Sequence, residues 1–479
     1  MTLLRRPLVA ALVLLLLVGV AAGVAIGPLG YGSPAPLAQR LADAVDVQAI
    51  LDDMASLQTI ADDNGGVRAG GTRGQLASAA FVASALREAG YRVTVDTFEM
   101  PLFTEVGAPT VSAGSRTYES GADFRPMIFS ASGHLSARLE AVRFDSDPAP
   151  LSGPGVGCGE DDFAAVPKAA VLLVRGGGCA ARDVVDNAVA AGARGLIISY
   201  PSWQANAVLR PTLRTADVTI PVIGTTWQMG LALNDVAAAN GQVNIDVQTA
   251  IVNRPSANVV AETPGGDPDH VIMLGGHLDS VIDGPGINDN GSGTMTVLEI
   301  AREAIRLHPD RMIRVGFWTG EEIGLYGSFR YVNSLAFEER RAIEAYLNFD
   351  MLGSPNGGRI IYDDASARTG STVIRDEFAS YFAGIGLGTE TEDVGGASDH
   401  FAFQRGSVPT GGLFSGATTL MTDAEAQLFD GQAGVAFDAC YHLACDTADN
   451  VNRELLRQMA QAAAYVTGIL ASGEVSVRE

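Results

Sequence analysis

Lysine is almost missing from this chain. Lys168 is the single lysine among 32 basic residues, so arginine supplies nearly all the positive charge. That bias assigns no chemistry. Positive charge as a whole is also short, since 55 acidic residues against 32 basic ones leave a net charge of −23. Such a balance favours solubility and disfavours a nucleic-acid partner, whose phosphates would be repelled. Cysteine is limited to four residues and histidine to six: His134, His270, His277, His308, His400 and His442. Internal repeats and low-complexity tails are absent, which leaves a globular reading. Long uncharged apolar runs are limited to one, Leu8 to Gly27, which follows Arg5-Arg6 and precedes Gly- and Pro-containing sequence through Pro36. This is the layout of a signal peptide, though the run is long enough to span a bilayer uncleaved. Residues 1–36 are therefore expected to be a signal peptide, with an N-terminal anchor as the alternative. The protein is expected to be secreted or extracytoplasmic, and tied to a membrane by residues 8–27 only if the leader is kept. No cysteine follows the run, which argues against a lipid anchor.

The residues that are present concentrate in five islands: Gly275-Gly-His-Leu-Asp-Ser280, Ile287-Asn-Asp-Asn-Gly-Ser-Gly293, Glu321-Glu322, Asn348-Phe-Asp350 and Cys440-Tyr-His-Leu-Ala-Cys445. Between them they offer His277, Asp289, Glu322, Asp350 and His442, nitrogen and oxygen donors of the kind Zn²⁺ takes, with Glu321 beside them as a carboxylate free to move protons. Two of the six histidines fall inside the islands, while His134, His270 and His308 sit in ordinary polar contexts and read as surface residues. The pattern is that of a binuclear metallohydrolase.

Position supports the reading. Val271 to Gly276 is an apolar run ending at His277; Ile313 to Thr319 leads into Glu321-Glu322; Ala345 to Phe349 delivers Asp350. Each reads as a buried parallel strand, and ligands of open α/β sheets bind beyond the carboxyl ends of such strands. Gly293 to Leu307 lies between two of them with Val297, Ile300, Ala301 and Ala304 on one helical face. Strand and helix in alternation predict a doubly wound, mostly parallel sheet flanked by helices. Amphipathic helices are also expected over Val47–Ile60, Ala77–Ala89 and Arg453–Leu470, a strand over Tyr91–Phe98, and a loop over the Gly-rich stretch Asp62–Gly74.

Together, His277-Leu-Asp279-Ser, Asn288-Asp-Asn-Gly-Ser-Gly293, Glu321-Glu-Ile-Gly-Leu-Tyr-Gly-Ser328, Asn348-Phe-Asp-Met-Leu-Gly-Ser354, Ser398-Asp-His400 and Cys440-Tyr-His-Leu-Ala-Cys-Asp446 resemble the co-catalytic zinc aminopeptidases, the M28 metallopeptidases. The resemblance spans about residues 45 to 475. It implies two Zn²⁺ per chain, one held by His277 and Asp350, the other by Glu322 and His442, with Asp289 bridging at the roughly 3.5–4 Å spacing of two-metal sites. It further implies a cis peptide after Asp289 and an Asp279 carboxylate that accepts the second imidazole N–H of His277. Glu321 would be the general base toward a metal-bridging water, and Tyr441 a donor to the developing oxyanion. Gly395 to His400 carries Ala397 where some relatives have Arg, so their specificity is not transferred. Asp399 and His400 then read as pocket-shaping residues. Phe401 and Phe403 read either as an apolar pocket wall or as core.

Cys440 and Cys445 straddle His442, while Cys158 and Cys179 lie together elsewhere, so two local disulfides are the simplest pairing, as suits an oxidising compartment. An alternative takes Cys440, His442 and Cys445 as soft zinc ligands. Residues 135 to 247 contain stretches that resemble the protease-associated (PA) domain often inserted into this family, with Cys158–Cys179 as its staple. The expected organisation is a discontinuous catalytic domain, 40–125 plus 252–475, around a smaller PA domain at 126–251. Acidic pairs such as Asp161-Asp162 or Asp363-Asp364 are candidate Ca²⁺ ligands, against the plainer reading of solvated turns.

The resemblance thus implies an aminopeptidase that takes peptide or protein N-termini, with apolar residues as the expected preference. A carboxypeptidase acting on acidic C-termini would need cationic groups near the pocket, and Gly275–Gly293 and Thr319–Ser328 around the metal motifs offer none. A noncatalytic receptor-like ectodomain would have lost ligands that this chain keeps.

Overall fold

A computed structural model describes residues 36–147, 155–201, 208, 210, 212–363 and 369–477. The leader expected at 1–36 lies outside the described residues except at Pro36. Among the described residues no helix is long and apolar enough to cross a membrane.

The first of two eight-stranded sheets has the strand order 92–105, 249–262, 311–318, 267–277, 343–350, 410–414, 360–362, 390–392. Its four central strands, Arg311–Trp318, Asp267–His277, Ile343–Asp350 and Thr410–Phe414, run parallel. Val271 to Leu274, Ala345 to Phe349 and Phe317 are wholly buried, as the continuous apolar runs predict for strands covered on both faces. Gly276 is required by close approach: a Cβ there would lie 2.6 Å from Phe349 O and 2.9 Å from Asn290 Nδ2.

Helix Gly293–Leu307 begins beside the site and buries Val297, Leu298, Ile300, Ala301 and Ala304 against the sheet core. Helices Val47–Asp63, Arg73–Ala89 and Arg453–Ala471 share that core. The second of these starts four residues ahead of the expected Ala77 because Thr72 caps it, its hydroxyl accepting from Gln75 N at 3.3 Å. The expected strand at Tyr91–Phe98 extends over Arg92–Glu105, since it pairs along its whole length with Thr249–Glu262.

The second sheet, in the order 116–118, 110–113, 242–247, 133–141, 171–175, 195–199, 222–225, 124–126, has its own cores on both faces. Its strands begin at Thr110, well before the expected boundary at 126. The short strands Thr110–Ala113, Arg116–Tyr118 and Phe124–Pro126 carry too few alternating residues to signal their allegiance. Disulfides Cys158–Cys179 and Cys440–Cys445 are both formed, so the alternative of soft zinc ligands falls.

Ile300→Ala, which empties a fully buried position, is expected to destabilise the chain by about 2–5 kcal/mol. The exposed Val95→Ala should change stability by less than about 0.5 kcal/mol. Urea unfolding of both variants measures the contrast.

Candidate metal centre

His277 is the last residue of its strand, and its ring is oriented by the main chain. Nδ1 donates to Asp279 O at 3.1 Å, which leaves Nε2 facing Asp289 Oδ1 and Asp350 Oδ1, each at 3.2 Å. The expected bond to the Asp279 carboxylate is not made. Its Oδ1 stands 3.9 Å from Nδ1 and instead accepts from Glu321 N at 3.3 Å. Asp279 therefore braces the Glu321-Glu322 turn.

Asp289 sits in the buried turn Ile287–Ser292, with the expected cis peptide to Asn290. Its two oxygens face opposite ways, Oδ1 to His277 and Oδ2 to His442 Nε2 at 3.1 Å. His442 Nε2 also lies 3.0 Å from Glu322 Oε2, while Glu322 Oε1 is buried with no hydrogen-bond partner. Asp350 ends its strand, and its Oδ2 accepts from Ser398 Oγ at 2.6 Å. Two candidate ligand sets result, His277–Asp289–Asp350 and Asp289–Glu322–His442, each with its donor atoms within 4.8 Å of one another. All five residues named from the sequence converge here. Shared carboxylate, paired imidazoles and the orphaned Glu322 oxygen fit a pair of divalent cations of the zinc type.

The electrostatics follow from burial among like charges. Burial raises Glu321 well above the carboxylate range, with Glu322, Asp350 and Asp399 adding to the shift against the pull of His277. Asp279 is pushed up to about 7, again by burial first. Asp289 is also pulled up by burial, yet hydrogen bonds from His277 and His442 outweigh it and hold the group below its ordinary value. Burial keeps the Tyr441 phenol protonated far above its usual range. Its ring stacks on His442 at 3.7 Å, in the loop closed by Cys440–Cys445.

Glu321, Tyr441, His277, Asp289, Glu322, Asp350 and His442 line a cavity of about 530 Å³. Met351, Ile360, Phe414 and Phe437 form an apolar part of its wall, and Glu390, Glu392, Asp393 and Glu425 an acidic part. Of the Gly395–His400 segment, Ala397 and Ser398 reach the cavity, whereas Asp399 and His400 are buried behind it. Phe403 stacks on Tyr346 at 3.6 Å and belongs to the core. Asp162 is engaged by Arg143 and by the amides of Gly157 and Gly159, and Asp363 by Arg375, so both read as braced turns rather than Ca²⁺ ligands. Asp364 lies outside the described residues.

Two residues without an expected role hold the site. Asp446 accepts from Asn288 N at 2.7 Å and Asp289 N at 3.0 Å, fixing the turn that carries the shared carboxylate. Arg68, wholly buried, donates to Leu278 O, Pro285 O and Gly286 O, closing both ends of the loop between His277 and Asp289. Burial pulls its guanidinium down to about 10 against the attraction of Asp279, Asp446, Asp289 and Glu322. Its one signal in the sequence was an arginine inside a Gly-rich loop whose composition otherwise suggested solvent.

An open α/β sheet with paired ligand sets beyond its strand ends has the layout of a metallohydrolase. Comparison with known proteins agrees. The profile of Peptidase family M28 matches residues 258–467, and that of the PA domain residues 149–233. A protein of Pseudomonas aeruginosa named aminopeptidase is 38% identical over 436 residues, 88% of this chain and 80% of its own length. A probable lipoprotein aminopeptidase of Mycobacterium tuberculosis is 34% identical over 451 residues, 91% of this chain and 87% of its own. In fold, the chain resembles the aminopeptidase from Aneurinibacillus sp. strain AM-1, with a TM-score of 0.72 at 24% identity over 91% of this chain and 96% of that one. The chain belongs to peptidase family M28 and carries a PA domain.

Arg68→Met is expected to cost about 3 kcal/mol or more, because three buried carbonyls lose their donor. Urea denaturation reads the loss, and an unchanged midpoint would mean that the loop holds itself.

Proposed function

We propose that this chain is an extracytoplasmic zinc aminopeptidase that removes apolar residues from the N-termini of peptides. The observation that carries the reading is the cavity wall: Glu390, Glu392, Asp393 and Glu425 join the ligand carboxylates there, and no lysine or arginine stands among the described lining residues. Such a wall attracts the ammonium end of a peptide and repels its carboxylate end. Met351, Ile360, Phe414 and Phe437 offer the first side chain an apolar surface. The names of the relatives point the same way, and two disulfides suit an oxidising compartment.

His277 and Asp350 would hold one zinc ion, Glu322 and His442 the other, with Asp289 shared between them. Bound zinc supplies Lewis acidity, polarising the scissile carbonyl and acidifying a water. Every other task falls to side chains. Glu321, raised by its buried and acidic surroundings, takes the proton of the attacking water and returns it to the leaving amine, a role that requires a carboxyl able to exchange protons near neutral pH. Tyr441 keeps its proton and donates a hydrogen bond to the oxyanion. Asp279 holds the main chain of Glu321, which sets where that carboxylate points. In this reading the inserted domain comprises residues 110–247 and the catalytic domain the segments that flank it.

Glu321→Gln is expected to keep its zinc and lose about 10²–10⁴-fold in kcat, since a proton carrier and not a ligand is removed. Near-normal turnover would reject the role. Hydrolysis of leucyl p-nitroanilide should proceed, while the N-acetylated substrate, which lacks the ammonium group, should not be cut. Equal turnover of the two would end the aminopeptidase reading while sparing the hydrolase. Dialysis against a chelator should abolish activity, and Zn²⁺ should restore it. In elemental analysis His277→Ala and His442→Ala should each retain less zinc than the wild type; full retention in either would remove that residue from the ligand set.

A further inference from the structure

The inserted domain touches the site at two points that the chemistry above does not use. The first is Ile323, the residue after Glu322, whose side chain packs against the core that holds Ile128, Phe129 and Leu213 of the inserted domain with Phe103 of strand Arg92–Glu105. The backbone is held there as well: Thr212 Oγ1 donates to Ile323 O at 3.4 Å, and Tyr326 OH donates to Arg214 O at 3.4 Å. Leu213, fully buried, donates its own N–H to Ile128 O at 3.0 Å, so the strap that meets Ile323 is anchored in the inserted domain.

The second point is Asp283, midway along the loop from His277 to Asp289. Arg210 grips it through both oxygens, at 2.8 and 2.9 Å, while also reaching Glu105 at 2.7 Å, and Arg125 pairs with it too. Arg210 is only 7% exposed, which places its pair with Asp283 in surroundings that screen it little. The next residue, Gly284, lies against the loop of His442, since a Cβ there would come within 2.3 Å of Leu443 O. Contacts from one domain thus bear on the Glu321-Glu322 turn and, through Asp283 and Gly284, on the loop of His442.

We infer that the inserted domain is a working part of the catalytic centre, with Ile323 and Asp283 as positioning residues, the first setting the Glu321-Glu322 turn and the second the loop of His442. The inference rests on the aminopeptidase reading for its kinetic test. A displacement of about 1 Å at a reacting group costs up to roughly a hundredfold in rate, so contacts one residue away from Glu322 are close enough to be felt in kcat. Substrate binding by the cavity wall is not expected to change, because its acidic and apolar residues lie on other segments.

The test uses the full chain with Ile323→Ala, Asp283→Asn and the double variant, and as control Leu233→Ala, which weakens the inserted domain in a separate core. Ile323→Ala and Asp283→Asn should each lower kcat by about tenfold or more with KM and zinc content unchanged. Amide hydrogen exchange should rise over residues 319–326 in Ile323→Ala and over residues 440–446 in Asp283→Asn, and Leu233→Ala should leave kcat within about twofold. Wild-type kcat and exchange in both positioning variants would overturn the inference. So would an equal loss of kcat in Leu233→Ala, since the stability of the inserted domain would then explain everything. A wild-type chain inactive on leucyl substrates would refute the aminopeptidase reading instead, and hydrogen exchange alone would then decide this inference.

Discussion

Everything at this site depends on placing many carboxylates out of water at one rim of a sheet. Asp279, Asp289, Glu322, Asp399 and Asp446 are all buried there, with Asp350 and Glu321 at the edge. Buried charge is costly unless it is paired, and burial accordingly pushes Asp279, Glu321, Glu322, Asp399 and Asp446 upward. Asp289 alone among those discussed moves down, because both imidazoles point at it. The described protein groups that offset the charge are those two imidazoles and the guanidinium of Arg68, fewer than the carboxylates they face. A centre built this way is matched to cations, and its geometry must be fixed by hydrogen bonds from elsewhere.

Those hydrogen bonds come from every layer of the fold. The parallel strands supply His277 and Asp350 as their last residues and lead, two residues beyond Thr319, to Glu321. Asp446 and Asp438 hold the Asn288–Asp289 turn, Asn290 ties it to Phe349 O, and Ser398 holds Asp350. His442 has no strand beneath it. It adopts a left-handed conformation, φ 59°, in a loop that the Cys440–Cys445 bridge closes, with Leu443 N returning to Cys440 O at 2.9 Å. Covalent closure there takes the place of the strand pairing that fixes His277 and Asp350.

What could be read from the chain follows the same division. Val271–Gly276, Ile313–Phe317 and Ala345–Phe349 announce themselves because a strand buried on both faces is nearly all apolar, Arg314 and Asn348 being the exceptions, and the candidate ligands follow from where such strands end. Helix Gly293–Leu307 is equally plain, since Val297, Ile300, Ala301 and Ala304 recur every third or fourth residue, although the first nine residues are buried on every side. The choice at Asp279 was not legible, because a carboxylate two residues after a histidine can reach its ring directly or leave that to its own carbonyl, and only the turn decides. Arg68 was hidden by its neighbours, a Gly-rich stretch in which a charged side chain is ordinarily solvated. Phe403 illustrates the converse: an aromatic near a pocket motif is core when Tyr346 already lies parallel to it.

The insertion itself has a geometric explanation that sequence could not supply. Strands Arg92–Glu105 and Thr249–Glu262 pair without interruption from Arg92 opposite Glu262 to Glu105 opposite Thr249, so the inserted segment leaves and re-enters at adjacent residues and is topologically the tip of one long hairpin. Adjacent ends let a whole domain be accommodated without disturbing the core. Among the described residues the hairpin's strand pairing with the central sheet is confined to Val259–Glu262 opposite Arg314–Phe317, with Ser256 and Asn258 adding side-chain bonds to Thr319 and Gly327. Beyond that it is a two-stranded ribbon, a unit with little stability of its own. A domain carried on such a ribbon takes its position from the contacts it makes beyond the ribbon. The contacts at Asp283 and Ile323 are of that kind, and they fall beside Glu322 and on the loop between His277 and Asp289.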